Sequence, residues 1–128
     1  MICKWKLGDE MDYKIVEKAN KKYIEIKHPL ACESDVLDII GICISNDIKL
    51  LVLREEVFTE NFTNLKLGLA GIALQKFMNY HIKVSATIED KNKIEGRFKE
   101  LVSELNKSNN FRVFNNTRDA ENWVLDIK

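Results

Sequence analysis

A basic excess, CxxC-spaced cysteines, proline-rich joints and long apolar runs are all missing from this chain, and each absence removes a class of function. Lysine plus arginine equals aspartate plus glutamate at 20 each, so the formal net charge is zero. Nucleic-acid-binding domains are usually marked by a basic stripe. Here the lysines are interleaved with acids, as on a solvated surface, and no nucleic-acid partner is expected. No apolar run approaches the roughly 20 residues needed to span a bilayer. The opening MICKWKLGDE lacks the apolar core of an export signal, so a cytoplasmic setting without membrane contact is expected. One proline and 5 glycines leave no linker, and there is no repeat or low-complexity stretch.

Cys3, Cys32 and Cys43 show no CxxC spacing and read as reduced thiols. Cys43 falls on an apolar helical stripe, as a small core residue does. Cys32 precedes a helix N-terminus, where a thiol pKa falls, but Glu33 and Asp35 beside it oppose the thiolate. His28 and His81 are the only histidines, and neither is grouped as a structural zinc site requires. No metal and no cofactor are expected. GxGxxG, GxxxxGK and GxSxG patterns are absent, so dinucleotide, phosphate-loop and serine-hydrolase readings lose their usual support.

What is present is enough apolar sequence for one core in 128 residues. Residues 1–12 are mixed in character and read as an N-terminal extension; residues 13–128 read as a single α/β domain. Tyr13–Lys18 and Lys22–Lys27 are β-favouring runs joined through Ala19, Asn20 and Lys21, which predicts a hairpin ended by Pro29. Ser34 is the expected N-cap of a helix to about Asn46, with Val36, Ile39, Ile40 and Cys43 as its apolar stripe. KLLVLR at Lys49–Arg54 reads as a central strand, KVSATI at Lys83–Ile88 as the next, and Phe111–Phe114 as the last. Helices are expected between them, one following the Glu55–Asn64 loop and running to about Tyr80 and one over Ile94–Leu105, and a final one is expected after a Thr117 cap. The order β-β-α-β-α-β-α-β-α, strictly alternating after the hairpin, calls for a mixed, mostly parallel sheet with about four helices.

In open α/β sheets, ligands gather beyond the carboxyl ends of the strands. The Glu55–Asn64 loop leaves such an end and opens the helix with the small residues Gly68, Ala70 and Gly71, which reads as buried on nearly every side. Thr59, Thr63 and Asn64 are therefore candidate polar contacts, and Phe58 or Phe62 a candidate apolar anchor for a partner. Glu55, Glu56 and Glu60 oppose a phosphate there, so a protein surface, a neutral ligand or a cation fits the loop better. The same residues also admit a structural role, Thr63 or Asn64 as a cap and Gly68 and Gly71 as close-packing residues. Arg112 is a second candidate, since a guanidinium binds a carboxylate or phosphate in bidentate fashion.

Asn64-Leu65-Lys66-Leu67-Gly68-Leu69-Ala70-Gly71, followed by Leu74-Gln75-Lys76-Phe77 and Asn79-Tyr80, resembles the bacterial family of domain of unknown function 4180. The resemblance runs from Tyr13 to about Leu125 and implies no activity, as that family has none assigned. This chain carries Leu67 where the family often has threonine, and Glu104-Leu105-Asn106-Lys107-Ser108 where the family tends to have Glu-x-Asn-Arg-Gly. The element order is also similar to that of STAS-type domains (sulfate transporter and anti-sigma-factor antagonist). Their phosphorylatable residue would fall on Leu67, which cannot accept a phosphate.

The expectation is thus a non-enzymatic domain acting through a protein partner or a small ligand at the 55–64 loop. The alternative is an enzyme with a pocket between that loop and Arg112. Self-association as a homodimer, through a helix face or the hairpin edge, is a third expectation.

Overall fold

The computed structural model describes residues 13–64 and 68–126. The expected extension over residues 1–12, and Leu67, lie outside the described residues. Strand β1 (Tyr13–Lys18) pairs antiparallel with β2 (Lys21–Ile26), Lys18 opposite Lys21. Ala19 and Asn20 between them have φ of 55° and 63°. Left-handed conformation at both central residues is the type I′ turn, whose twist matches that of the flanking strands.

Strands β3 (Leu50–Leu53), β4 (Lys83–Thr87) and β5 (Phe111–Phe114) then add in parallel, giving the order β1-β2-β3-β4-β5. Each crossover steps to the adjacent strand, and crossovers of one hand collect on one face. That face holds α1 (Glu33–Asn46), the single turn α2 (Glu60–Thr63), α3 (Leu69–Asn79) and α4 (Gly96–Leu105). Ile24, Ile26, Leu51, Leu53, Val84, Ala86 and Phe111 point into it and build the main core. Helix α5 (Thr117–Leu125) covers the other face, over a much smaller cluster of Tyr23, Val52, Val124 and Leu125. The mixed, mostly parallel α/β sheet expected from the alternation is the one observed. Among the described residues no helix is long and apolar enough to cross a membrane.

Several local expectations change. The N-cap of α1 is Cys32, while Asp35, fully buried, accepts a hydrogen bond from the Ala31 N–H at 2.9 Å and closes the loop onto the helix. The helix expected after the Glu55–Asn64 loop is α3, which starts at Leu69, and the expected loop itself contains the single turn α2, ending at Thr63. Gly68, at the N-cap of α3, has φ of 78°, a conformation that side chains rarely adopt. Helix α3 is not buried all round. Leu69, Ala70, Ala73 and Phe77 face the core, but Gly71 and Gln75 are exposed, and a Cβ added at Gly71 would meet nothing within 4 Å. Gly71 is therefore not a close-packing residue. The N-cap of α5 is Asn116, not Thr117; its side chain accepts from the Asp119 N–H at 2.8 Å.

The largest correction concerns Phe58 and Phe62. Both are buried, packed edge-to-face at 5.2 Å, and Phe62 continues to Phe98 at 6.5 Å. Apolar residues in a loop that crosses the end of a strongly hydrophobic sheet are drawn into the core, and these two seal it. Neither is a surface anchor.

Helix α5 is held by polar ties. The Tyr23 hydroxyl donates to Glu121 Oε2 at 2.6 Å, and Lys18 Nζ donates to Oε1 at 2.7 Å. Lys21 Nζ and Lys83 Nζ donate to the carbonyls of Leu125 and Trp123 at 2.7 and 2.9 Å. The hydrogen bonds from Lys18 and Tyr23 hold the Glu121 carboxyl below its ordinary range. Burial, then the bond to Glu121, holds the Tyr23 phenol above its own.

Phe62→Ala should cost about 3–5 kcal/mol in urea unfolding, as expected for a core aromatic. A carboxyl depressed in the folded state stabilises above its unfolded pKa and loses that contribution as pH falls through the folded one. Glu121→Gln should therefore lower stability at neutral pH and flatten its decline below about pH 4.3, the ordinary glutamate value; urea titrations between pH 7 and pH 3 check both.

Candidate functional site

The carboxyl end of the sheet is where the expected site residues were placed. A 3-10 turn at Glu55–Val57 follows β3, and Thr59 caps α2 by accepting from the Phe62 N–H at 3.3 Å. The same hydroxyl donates to the Leu30 carbonyl at 2.6 Å. Asn61 Nδ2 reaches the Ala31 carbonyl at 3.2 Å, and the Leu30 N–H donates to the Val57 carbonyl at 2.9 Å. Glu55 accepts from the Glu89 N–H at 2.7 Å and lies 3.5 Å from Lys93 Nζ. His28 Nε2 lies 3.8 Å from Asp35 Oδ1 in the adjoining loop. The result is a pair of loops laced to each other, with Glu55 fastening one of them to the segment around Glu89 and Lys93.

Against that geometry, Thr59 is a strap between loops and Thr63 is half-buried in the last turn of α2. Asn64 is exposed at its C-cap, with its N–H bonded to the Glu60 carbonyl at 2.9 Å. Gly68 serves the entry to α3. Phe58 and Phe62 belong to the core. Arg112 is not brought to this group. It is the second residue of β5, near the amino end of that strand, and its Nε donates to the Ser108 carbonyl at 2.7 Å. Its guanidinium also bonds Asn109 Oδ1 at 3.2 Å and lies 5.3 Å from the Trp123 ring, on the face covered by α5. The loop and Arg112 thus occupy opposite ends of the sheet, so the described residues do not bring them together.

Cysteine chemistry is likewise constrained. Cys32 is disulfide-bonded, contrary to the reduced state expected of it, and so offers no thiolate. Cys43 is free and buried, and burial pushes its thiol up to about 11.

The feature that sequence reasoning missed is at the amino end of the strands. Helices α1 and α3 stop there in left-handed residues, Asp47 at φ 54° and His81 at φ 58°. Back-bonds from Ile48 to Cys43 and from Ile82 to Phe77 complete each stop. These two turns leave an open cavity of about 220 Å³ between them, lined by Cys43, Ile44, Asp47, Lys49, Tyr80 and Ile82. A second of about 330 Å³ shares Ile82 and is lined by Met78, His81, Lys83 and Asn110. Ile44 is 60% exposed, Met78 57% and Tyr80 46%. Lys83, its ammonium 4.5 Å from the Trp123 ring, is held below its ordinary pKa chiefly by burial. Apolar side chains at the last turn of two successive helices are the pattern that could have exposed this groove, but each reads singly as core.

The architecture is that of a small α/β domain whose two sheet ends differ among the described residues, one laced by hydrogen bonds between loops and one bordering open cavities with exposed apolar side chains. The family described as Domain of unknown function (DUF4180) matches residues 18–124, and the chain belongs to it. Searches among curated proteins and among solved structures find no match.

Thr59→Ala removes the inter-loop bond and the α2 cap together and should cost about 1–2 kcal/mol. Amide exchange should report the loss first in the loop at residues 28–32, where the Leu30 carbonyl would be left unpaired.

Proposed function

We propose that this domain acts by binding a protein partner, not by catalysis, and that the partner docks on the groove at the amino ends of β3–β5. The observation that supports this is the grouping of three largely exposed apolar side chains, Ile44, Met78 and Tyr80, around two adjoining cavities. Contiguous exposed apolar surface bordered by polar groups marks interaction sites, and Asp47, Lys49, His81 and Asn110 form the polar rim. The apolar cavity is smaller than the roughly 300–1,000 Å³ of a typical small-molecule site. It fits one partner side chain inserted between Ile44 and Tyr80.

A second reading is self-association through the hairpin. On β1, Tyr13 is 41% and Ile15 43% exposed, on the sheet face that α1 covers farther in. Sheet-edge pairing would place them against a second copy.

Native mass spectrometry of the gently purified chain separates the readings. A retained second protein that Ile44→Glu releases, and Asn64→Ala does not, is the expected outcome, with unchanged circular dichroism in both variants. Retention of that protein by Ile44→Glu would remove the groove from consideration. A doubled mass abolished by Ile15→Lys would favour the hairpin edge instead.

A further inference from the structure

We propose that α5 is a releasable cover, which lifts from the sheet as a unit while β2–β5 and the helices of the opposite face stay folded. The first ground is what lies beneath it. Along β4, Val84 and Ala86 point into the main core, so Ser85 and Thr87 point to the α5 face. Both are buried, and neither hydroxyl has a hydrogen-bond partner. On β2, Glu25 points the same way as Tyr23 and is 4% exposed. One of its oxygens meets Arg54 at 3.3 Å; the other has no hydrogen bond and only an ion contact with Lys14 at 3.5 Å. A buried polar atom without a partner disfavours the covered state, because water satisfies it once the cover is off.

The second ground is how α5 is fastened. Its apolar seat is the small cluster of Tyr23, Val52, Val124 and Leu125, with Val16, Leu50 and Trp123 packed against it and Ala120 buried, against a main core that runs from Ile24 to Phe111. The ties from Tyr23, Lys18, Lys21 and Lys83 all reach Glu121, Trp123 and Leu125, in the C-terminal half of the helix. Lys83 and Arg112 close its flank by resting on the Trp123 ring. Each of these is a polar interaction for which water competes. Release would therefore remove far less apolar burial than opening the main core, and it would hydrate Ser85, Thr87 and Glu25, baring a polar strip on β2–β4. Elements of this kind open below the global unfolding free energy. The strip lies on the face opposite the main core, so this inference does not rest on the binding surface proposed above.

Amide hydrogen exchange on the full chain tests it. Ala120–Leu125 should exchange at least about tenfold faster than Val52 and Ala86 under native conditions, as a sub-global opening requires. Ser85→Ala and Thr87→Val each remove an unpaired hydroxyl and should slow exchange in α5 severalfold, leaving β3 and β4 unchanged. Tyr23→Phe, which cuts one tie, should speed exchange in α5 alone. Exchange of α5 in step with β3 and β4 would overturn the proposal. So would faster α5 exchange in Ser85→Ala and Thr87→Val, because it would show that the hydroxyls hold the helix down.

Discussion

Side chains of β2–β5 alternate between two unequal faces, and most of this molecule follows from that alternation. Because the strands lie in chain order, every crossover must land on the same side, and that side receives α1, α2, α3 and α4. Among the described residues, the opposite side has only the segment after β5 to cover it. Ile24, Leu51, Val84 and Phe111 therefore meet a thick helical layer. Their neighbours Glu25, Val52, Ser85 and Arg112 share one helix of nine residues. The polarity of this second face is a consequence of limited cover, since a long apolar strip under one short helix would remain partly wet.

The two ends of the sheet differ for a similarly simple reason. At the carboxyl end, the chain after β3 is long enough to fold a 3-10 turn and α2 over the strand tips. Phe58 and Phe62 enter the core there, and Thr59 and Asn61 bind the loop to its neighbour. At the amino end, the chain enters β3 and β4 through tight left-handed stops at Asp47 and His81, and nothing among the described residues crosses above them. Apolar residues in the last turns of α1 and α3, Ile44 and Met78, together with Tyr80 just beyond α3, are then left facing solvent. Tight turns economise on chain and leave surface bare; long loops conceal it.

Much of the fold was legible in the sequence. The hairpin expected through residues 19–21, observed with Lys21 already in β2, the apolar run at Leu50–Leu53 and the helical stripe of Val36, Ile39, Ile40 and Cys43 are local patterns, and each forms the kind of element it predicts. The candidate site was not legible in the same way. Phe58 and Phe62 in an acidic loop look like exposed anchors, because composition around a residue says nothing of what lies across the sheet end from it. Arg112 looks available, yet the turn at Ser108–Asn109 and the ring of Trp123 occupy it. Family membership, matched over residues 18–124, adds no activity to this picture.

The sequence by itself determined element type and order, because 2-residue and 3.6-residue periodicities and turn residues act over a few neighbours. It also determined family membership, which is matched over residues 18–124. Tertiary structure alone decided which face of each strand became the main core, that Phe58 and Phe62 are interior, and that Ile44, Met78 and Tyr80 border one groove. Those outcomes depend on contacts between residues far apart in the chain, such as Phe62 with Phe98 and Tyr23 with Glu121. Burial is set by what packs opposite a side chain, and no local pattern contains that information.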